Sequence, residues 1–80
     1  MSVSKLRWRC RRGTRELDVI LTRFLDQTYP HLSVSEQALF ASLLDQQDPD
    51  LAAWIWGGVT PPERWAGLIA RIREGLVDGD

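Results

Sequence analysis

Apolar residues recur through this chain with a period of 3.6, in stripes separated by turn and cap residues. Leu17, Ile20, Leu21, Phe24 and Leu25 follow the spacing i, i+3, i+4, i+7, i+8, which puts them on one buried face of a helix. Leu39, Phe40, Leu43 and Leu44 make a second face, and Leu51, Trp54 and Ile55 a third. Trp65, Leu68, Ile69, Ile72 and Leu76 make a fourth. No stretch reads as a credible strand, so the fold class expected is all-α.

The caps divide the chain. Ser4 is expected to cap a first helix running to about Arg12, with Val3, Leu6 and Cys10 on one face and Trp8 pointing elsewhere. Gly13 is expected to end it, because glycine takes positive φ without a steric cost. A second helix starts at Gly13 or Thr14 and runs to about Thr28, with Glu16 and Asp18 in its first turn, where negative charge suits the helix dipole. Tyr29-Pro30 breaks it, since the residue before proline avoids the helical region. Ser33 with Glu36 forms a capping box for a third helix. Asp48 caps a fourth with Pro49 at its first position, and Gly57-Gly58 ends it. Thr60 with Glu63 repeats the capping box for a fifth helix, which is expected to fray at Gly75. A chain of 80 residues allows one domain that buries roughly 60 % of its unfolded surface. The expectation is a single five-helix bundle over residues 1–80, with 1–3 and 77–80 flexible.

Charge is unevenly spread. Lys5, Arg7, Arg9, Arg11, Arg12 and Arg15 precede the first acid, Glu16, and all 11 acids follow. This reads as a basic arm on an acidic body, suited to a polar partner. Arginine on phosphate with Trp8 stacking on bases is one reading, a nucleic-acid-binding or antitoxin-like regulatory module. Docking on a protein is the other. The acidic remainder weighs against nucleic acid, because one short basic helix gives a small electrostatic footprint.

Enzyme chemistry finds few groups to work with. The single cysteine, Cys10, excludes an internal disulfide and a cysteine-cluster zinc site and suits a reducing compartment, the cytoplasm. The Arg-rich, acid-poor start also resembles a mitochondrial transit peptide, but cleavage there would remove the most distinctive residues of the chain. No apolar run approaches the ~20 residues of a membrane span. Cys10 reads as a buried structural residue rather than a reactive thiolate. His31 reads as a solvated loop residue, and Asp48 and Asp50 as helix-starting acids rather than a catalytic pair. Trp54 and Trp65 fit the core stripes. Trp56 lies off its stripe, either partly buried against the fifth helix or exposed, and Trp8 has the character of an interface anchor.

Leu6-Arg7-Trp8-Arg9-Cys10-Arg11-Arg12-Gly13-Thr14-Arg15-Glu16-Leu17-Asp18 resembles the start of the SdhE family of flavinylation factors, Trp-x-Cys-Arg-Arg-Gly-x-x-Glu-Leu-Asp. Leu32-Ser33, Glu36, Phe40, Leu43-Leu44 and Asp48-Pro49-Asp50-Leu51 with Trp54 continue the match. It covers about residues 6–56, and the last helix by pattern only. Thr14 stands where members more often carry methionine. The resemblance implies a five-helix monomer that is not itself an enzyme. It implies transient binding to the flavoprotein subunit of succinate dehydrogenase or fumarate reductase, where FAD becomes joined to a histidine of that partner. FAD is then the client's cofactor, and none is held stably here. The residue reading and the resemblance meet at Trp8, Arg11, Arg12, Gly13, Glu16 and Asp18 as the partner-binding set. In that reading Arg11 and Arg12 offer guanidinium forks outward, and Gly13 lets a second backbone come close.

Overall fold

The computed structural model describes residues 2–78. Five α-helices follow in order among them: α1 Val3–Arg9, α2 Arg15–Gln27, α3 Val34–Leu43, α4 Asp48–Ile55 and α5 Glu63–Asp78, with a single 3₁₀ turn at Tyr29–His31 between α2 and α3. The stripes read from the sequence supply the core. Leu17, Ile20, Leu21, Phe24 and Leu25 of α2 are buried, as are Phe40 and Leu43 of α3, Leu51, Trp54 and Ile55 of α4, and Trp65, Leu68, Ile69 and Ile72 of α5. α5 is the central strut and packs on α2, α3 and α4. Aromatic rings join the layers: Phe24 meets Phe40 at 5.1 Å between centroids, and Trp54 meets Trp65 at 5.7 Å. Both separations lie in the favourable range for offset or tilted rings. The Trp65 indole N–H donates to Ser42 Oγ at 3.0 Å, so burying that ring leaves no donor unmatched.

The ends of the helices refine the expectations. The capping box of α3 is present: the Glu36 amide donates to Ser33 Oγ at 3.2 Å, and Glu36 Oε1 accepts from the Ser33 amide at 3.1 Å. That backbone hydrogen bond, with the Ser33 hydroxyl, holds the Glu36 carboxyl below its usual range. α1 begins two residues earlier than expected, capped by Ser2 rather than Ser4, and ends at Arg9 rather than Arg12. Its C-cap is Cys10, whose amide bonds back to Leu6 and Arg7. Gly13 therefore lies in a connector rather than at a helix end. α4 takes Gln47 as its N-cap, which moves Asp48 to the first helical position and Pro49 to the second. α5 opens directly at Glu63, so Glu63 is not the third residue of a box started by Thr60. Gly75 does not end α5. The helix passes through it to Asp78, where a Cβ on Gly75 would lie 3.8 Å from Ile20 Cδ1 of α2. Of the ends expected to be flexible, Ser2 is the N-cap of α1, Val3 its first residue, and Val77 and Asp78 belong to α5; the expectation for Met1, Gly79 and Asp80 falls outside the described residues.

The basic arm is not an arm. Leu6 and Cys10 are fully buried, and α1 packs on α2. The Cα radius of gyration, 11.4 Å, matches the roughly 12 Å of a compact chain of this length. α1 thus belongs to the same core as the rest, and its arginines reach acids of the body.

Candidate functional site

The connector between α1 and α2, residues 10–14, brings the motif Arg12-Gly13-x-x-Glu16 to the surface beside the α3–α4 loop. Arg12 anchors it. Its Nε donates to Asp48 Oδ1 at 2.8 Å, and its Nη1 donates to the Leu44 carbonyl at 2.6 Å and the Arg9 carbonyl at 3.3 Å. Its Nη2 donates to the Gln46 carbonyl. The side chain is 14 % exposed, against 33 % for Asp48. The planar fork suits this role, because it satisfies a carboxylate and several diverging carbonyls from one group. The Arg12 backbone amide donates to Asp18 Oδ1 at 2.5 Å, which ties the connector to the first turn of α2. Arg12 and Asp18 were expected to face a partner; the structure turns these polar atoms inward, onto the chain itself. The physical reason is the α3–α4 loop, whose free carbonyls have no helical donors and lie within reach of the guanidinium.

The other arginines follow a similar pattern. Arg7 pairs with Asp26 at 2.5 Å, and Arg9 pairs with Asp45. The Arg7 guanidinium beside Asp26 holds that carboxyl below its usual range. Three of the six basic residues before Glu16 are thus paired with acids far along the chain, which removes half of the basic excess seen in the sequence. Cys10 lies beneath them, fully buried. Burial pushes its thiol up to about 11, overcoming the nearby arginines. The thiol stays protonated at neutral pH and lacks the exposure that a reactive cysteine needs.

What the junction presents to solvent is different. Gly13 has φ +84°, a conformation that L side chains avoid, and an added Cβ would meet no atom within 4 Å. Its glycine is required by the backbone turn, not by crowding within the chain, and it leaves bare main chain at the surface. Thr14 is the N-cap of α2, in extended conformation. Glu16 is exposed in the first turn of α2 and has no hydrogen bond or ion pair among the described residues. Trp8 is 70 % exposed, with the Arg11 guanidinium 5.6 Å from its ring. The structure therefore divides the expected set in two. Trp8, Arg11, Gly13 and Glu16 are presented outward, and Arg12 and Asp18 hold them in place.

Two residues of this neighbourhood were not in the expected set. Asp48 read as a cap, yet it is the counter-ion of Arg12 from 36 residues away, a distance at which sequence spacing carries no signal. Trp56 is 43 % exposed at the C-terminus of α4. Its indication was visible: it lies off the stripe that buries Trp54. The turn that follows it is built on glycine. A Cβ on Gly57 would stand 2.9 Å from Ala53 Cα, and Gly58 has φ +74°. Together they fold the chain sharply back and leave the Trp56 ring at the surface.

Among the described residues, no group of three or more His, Cys, Asp or Glu side chains is placed to hold a metal. No helix among them is long and apolar enough to cross a membrane.

Comparison with known proteins bears on the same residues. The family model described as "Flavinator of succinate dehydrogenase" matches residues 4–75. A relative from Coxiella burnetii is 46 % identical over 75 residues, covering 92 % of this chain and 92 % of its own. One from Shewanella oneidensis is 40 % identical over 74 residues, covering 91 % of this chain and 90 % of its own. One from Francisella tularensis is 41 % identical over 71 residues, covering 89 % of this chain and 75 % of its own. Each of the three carries the name FAD assembly factor SdhE.

Proposed function

The chain belongs to the SdhE family, the flavinators of succinate dehydrogenase, and from that premise we propose that it is an FAD assembly factor. It binds the flavoprotein subunit of succinate dehydrogenase, or of fumarate reductase, and promotes covalent attachment of FAD to that subunit. The observation that carries this reading is the outward half of the α1–α2 junction. Bare backbone at Gly13 and an unpartnered carboxylate at Glu16, one helical turn apart, sit on a clamped and pre-ordered frame. A rigid surface loses little conformational freedom on docking, so more of its contact energy appears as affinity.

Each residue has a separate part. Gly13 allows the client's chain to come close, where any side chain would stand between the two surfaces. Glu16 accepts hydrogen bonds from client donors, favoured there by its exposure. Trp8 supplies apolar area, with Arg11 over its ring. Arg12 and Asp18 act through the others, by fixing the path of residues 12–14. FAD remains the client's cofactor. The chain contributes no catalytic group of its own and works by holding the client in a geometry in which the client's own histidine reacts; positioning of this kind can lower a barrier substantially. The chain works as a monomer in the cytoplasm, and nucleic acid is not its partner, since internal ion pairs occupy half of the basic stretch.

The test is covalent flavin on the purified flavoprotein subunit, read by in-gel fluorescence, with and without this chain. Addition of the chain should raise the yield, and Gly13→Arg should abolish the increase while helical circular dichroism is retained. An equal yield without the chain, or with the variant, overturns the proposal.

A further inference from the structure

Trp56 stands where three surface grooves meet. One, of about 440 Å³, is walled by Thr14, Glu16, Pro49 and Ala52. A second, of about 420 Å³, has Ile20, Leu76 and Trp56 as its apolar floor and Arg15, Glu16, Val19 and Arg23 around it. The third, of about 510 Å³, continues along α5 past Ala70 and Arg73. Val19 is 47 % exposed and Trp56 43 %, so two large apolar groups lie open together. Glu16, Val19 and Arg23 stand at i, i+3 and i+7 of α2 and therefore share one face of that helix. Arg15 and Arg23 make no hydrogen bond or ion pair among the described residues, in contrast to Arg7, Arg9 and Arg12. The only acid in the second groove is Glu16.

We propose that the groove between α2 and Trp56 is a second seat for the flavoprotein client. It takes an apolar side chain of the client between Trp56 and Val19, with a client carboxylate facing Arg15 and Arg23. The inference rests on the function proposed above and extends its surface. Two observations select this occupant. The groove is continuous with the docking junction, because Glu16 is a wall of both flanking grooves, so a client surface touching Glu16 lies against Trp56. The charge is also unbalanced: two free guanidinium groups oppose one carboxylate and call for an acid from outside the chain. An aromatic ring at the centre of a charged rim is the usual arrangement of a dominant interface contact, in which the rim excludes water from the anchor.

The test uses the full chain and the purified flavoprotein subunit lacking covalent flavin, with affinity measured by calorimetry. Trp56→Ser and Val19→Asp should each weaken binding by about tenfold or more, with helical circular dichroism close to that of the wild type. Arg15→Glu with Arg23→Glu should weaken binding and flatten its salt dependence. Unchanged affinity in all three, while Gly13→Arg still abolishes binding, overturns the groove and leaves the assembly function standing. A wild-type chain that fails to bind the subunit overturns both. Sedimentation of the chain alone supplies the last arm. A dimer that Trp56→Ser dissociates would make the groove a contact between copies of this chain, and the client seat would be wrong.

Discussion

On the inner side of the α1–α2 junction every nitrogen of the Arg12 guanidinium donates to an acceptor of the chain. On the outer side, three and four residues on, Arg15 and Glu16 have no partner among the described residues. Both sides belong to one short motif, yet they treat polar groups in opposite ways. The inner side closes its hydrogen bonds, because a buried donor or acceptor left unmatched costs about 1–3 kcal/mol. The outer side leaves its groups open, which costs little in water and keeps them available to a second molecule. The difference separates residues that make the platform from residues that are the platform. A motif residue can be essential in either role, and only the first kind should carry stability.

Substitutions on the two sides should diverge accordingly. The largest effect is expected in the core below the junction. Trp54→Ala should cost about 3–5 kcal/mol, read by urea denaturation, whereas Trp56→Ala, two residues on, should cost roughly half of that because the residue is already 43 % exposed. Equal costs would mean that the two tryptophans are not on opposite sides of the divide. Arg12→Ala comes next, at about 2–4 kcal/mol, since it strands Asp48 and the loop carbonyls of Leu44 and Gln46. Arg12→Lys should recover only part of this, because one ammonium cannot replace a fork. Client binding by Arg12→Ala should fall in step with the folded fraction. Gly13→Ala should cost about 1–2 kcal/mol, the penalty for placing an L side chain at positive φ. Glu16→Ala should change stability by no more than about 1 kcal/mol, within the range of a helix-dipole contribution, while lowering covalent flavin yield. A large fall in melting temperature for Glu16→Ala would move it to the inner side. The smallest effect at neutral pH belongs to the Cys10 thiol. Its folded value of about 11 lies above the ordinary 9.0, so the unfolded chain releases this proton first. Stability should therefore be unaffected below about pH 9 and decline as pH rises from there through 11. A Cys10→Ala variant should lack that alkaline decline, and native Cys10 should resist iodoacetamide at pH 8 until denaturant is added.

Much of the architecture was legible because helices are written locally. The stripe of α2 and the capping box of Ser33 and Glu36 each lie within one short segment, so periodicity and spacing reveal them. Helix ends were less legible. Ser2 and Ser4 are both competent caps, and the choice between them depends on where Leu6 and Cys10 meet α2. Asp48 looked like a cap because a local reading of Asp-Pro has no access to an arginine 36 residues away. The outward set of Trp8, Arg11, Gly13 and Glu16 was legible because it lies within one short segment, whereas the inward turn of Arg12 and Asp18 was not, because Arg12 meets its acceptors on a distant loop. Trp56 was visible only as a residue off its stripe, since its neighbours Val19 and Arg23 come from another helix.

The sequence by itself determined an all-α chain, the faces its helices bury, the turn that requires glycine at residue 13, and the resemblance that identified the family. Tertiary structure alone decided which arginines are free. Charge read along a chain adds up, but charge in a fold cancels wherever a carboxylate is brought within reach. Asp26, Asp45 and Asp48 do this for Arg7, Arg9 and Arg12. Arg15 and Arg23 find no such acid among the described residues, and that leaves them facing outward beside Glu16 and Trp56.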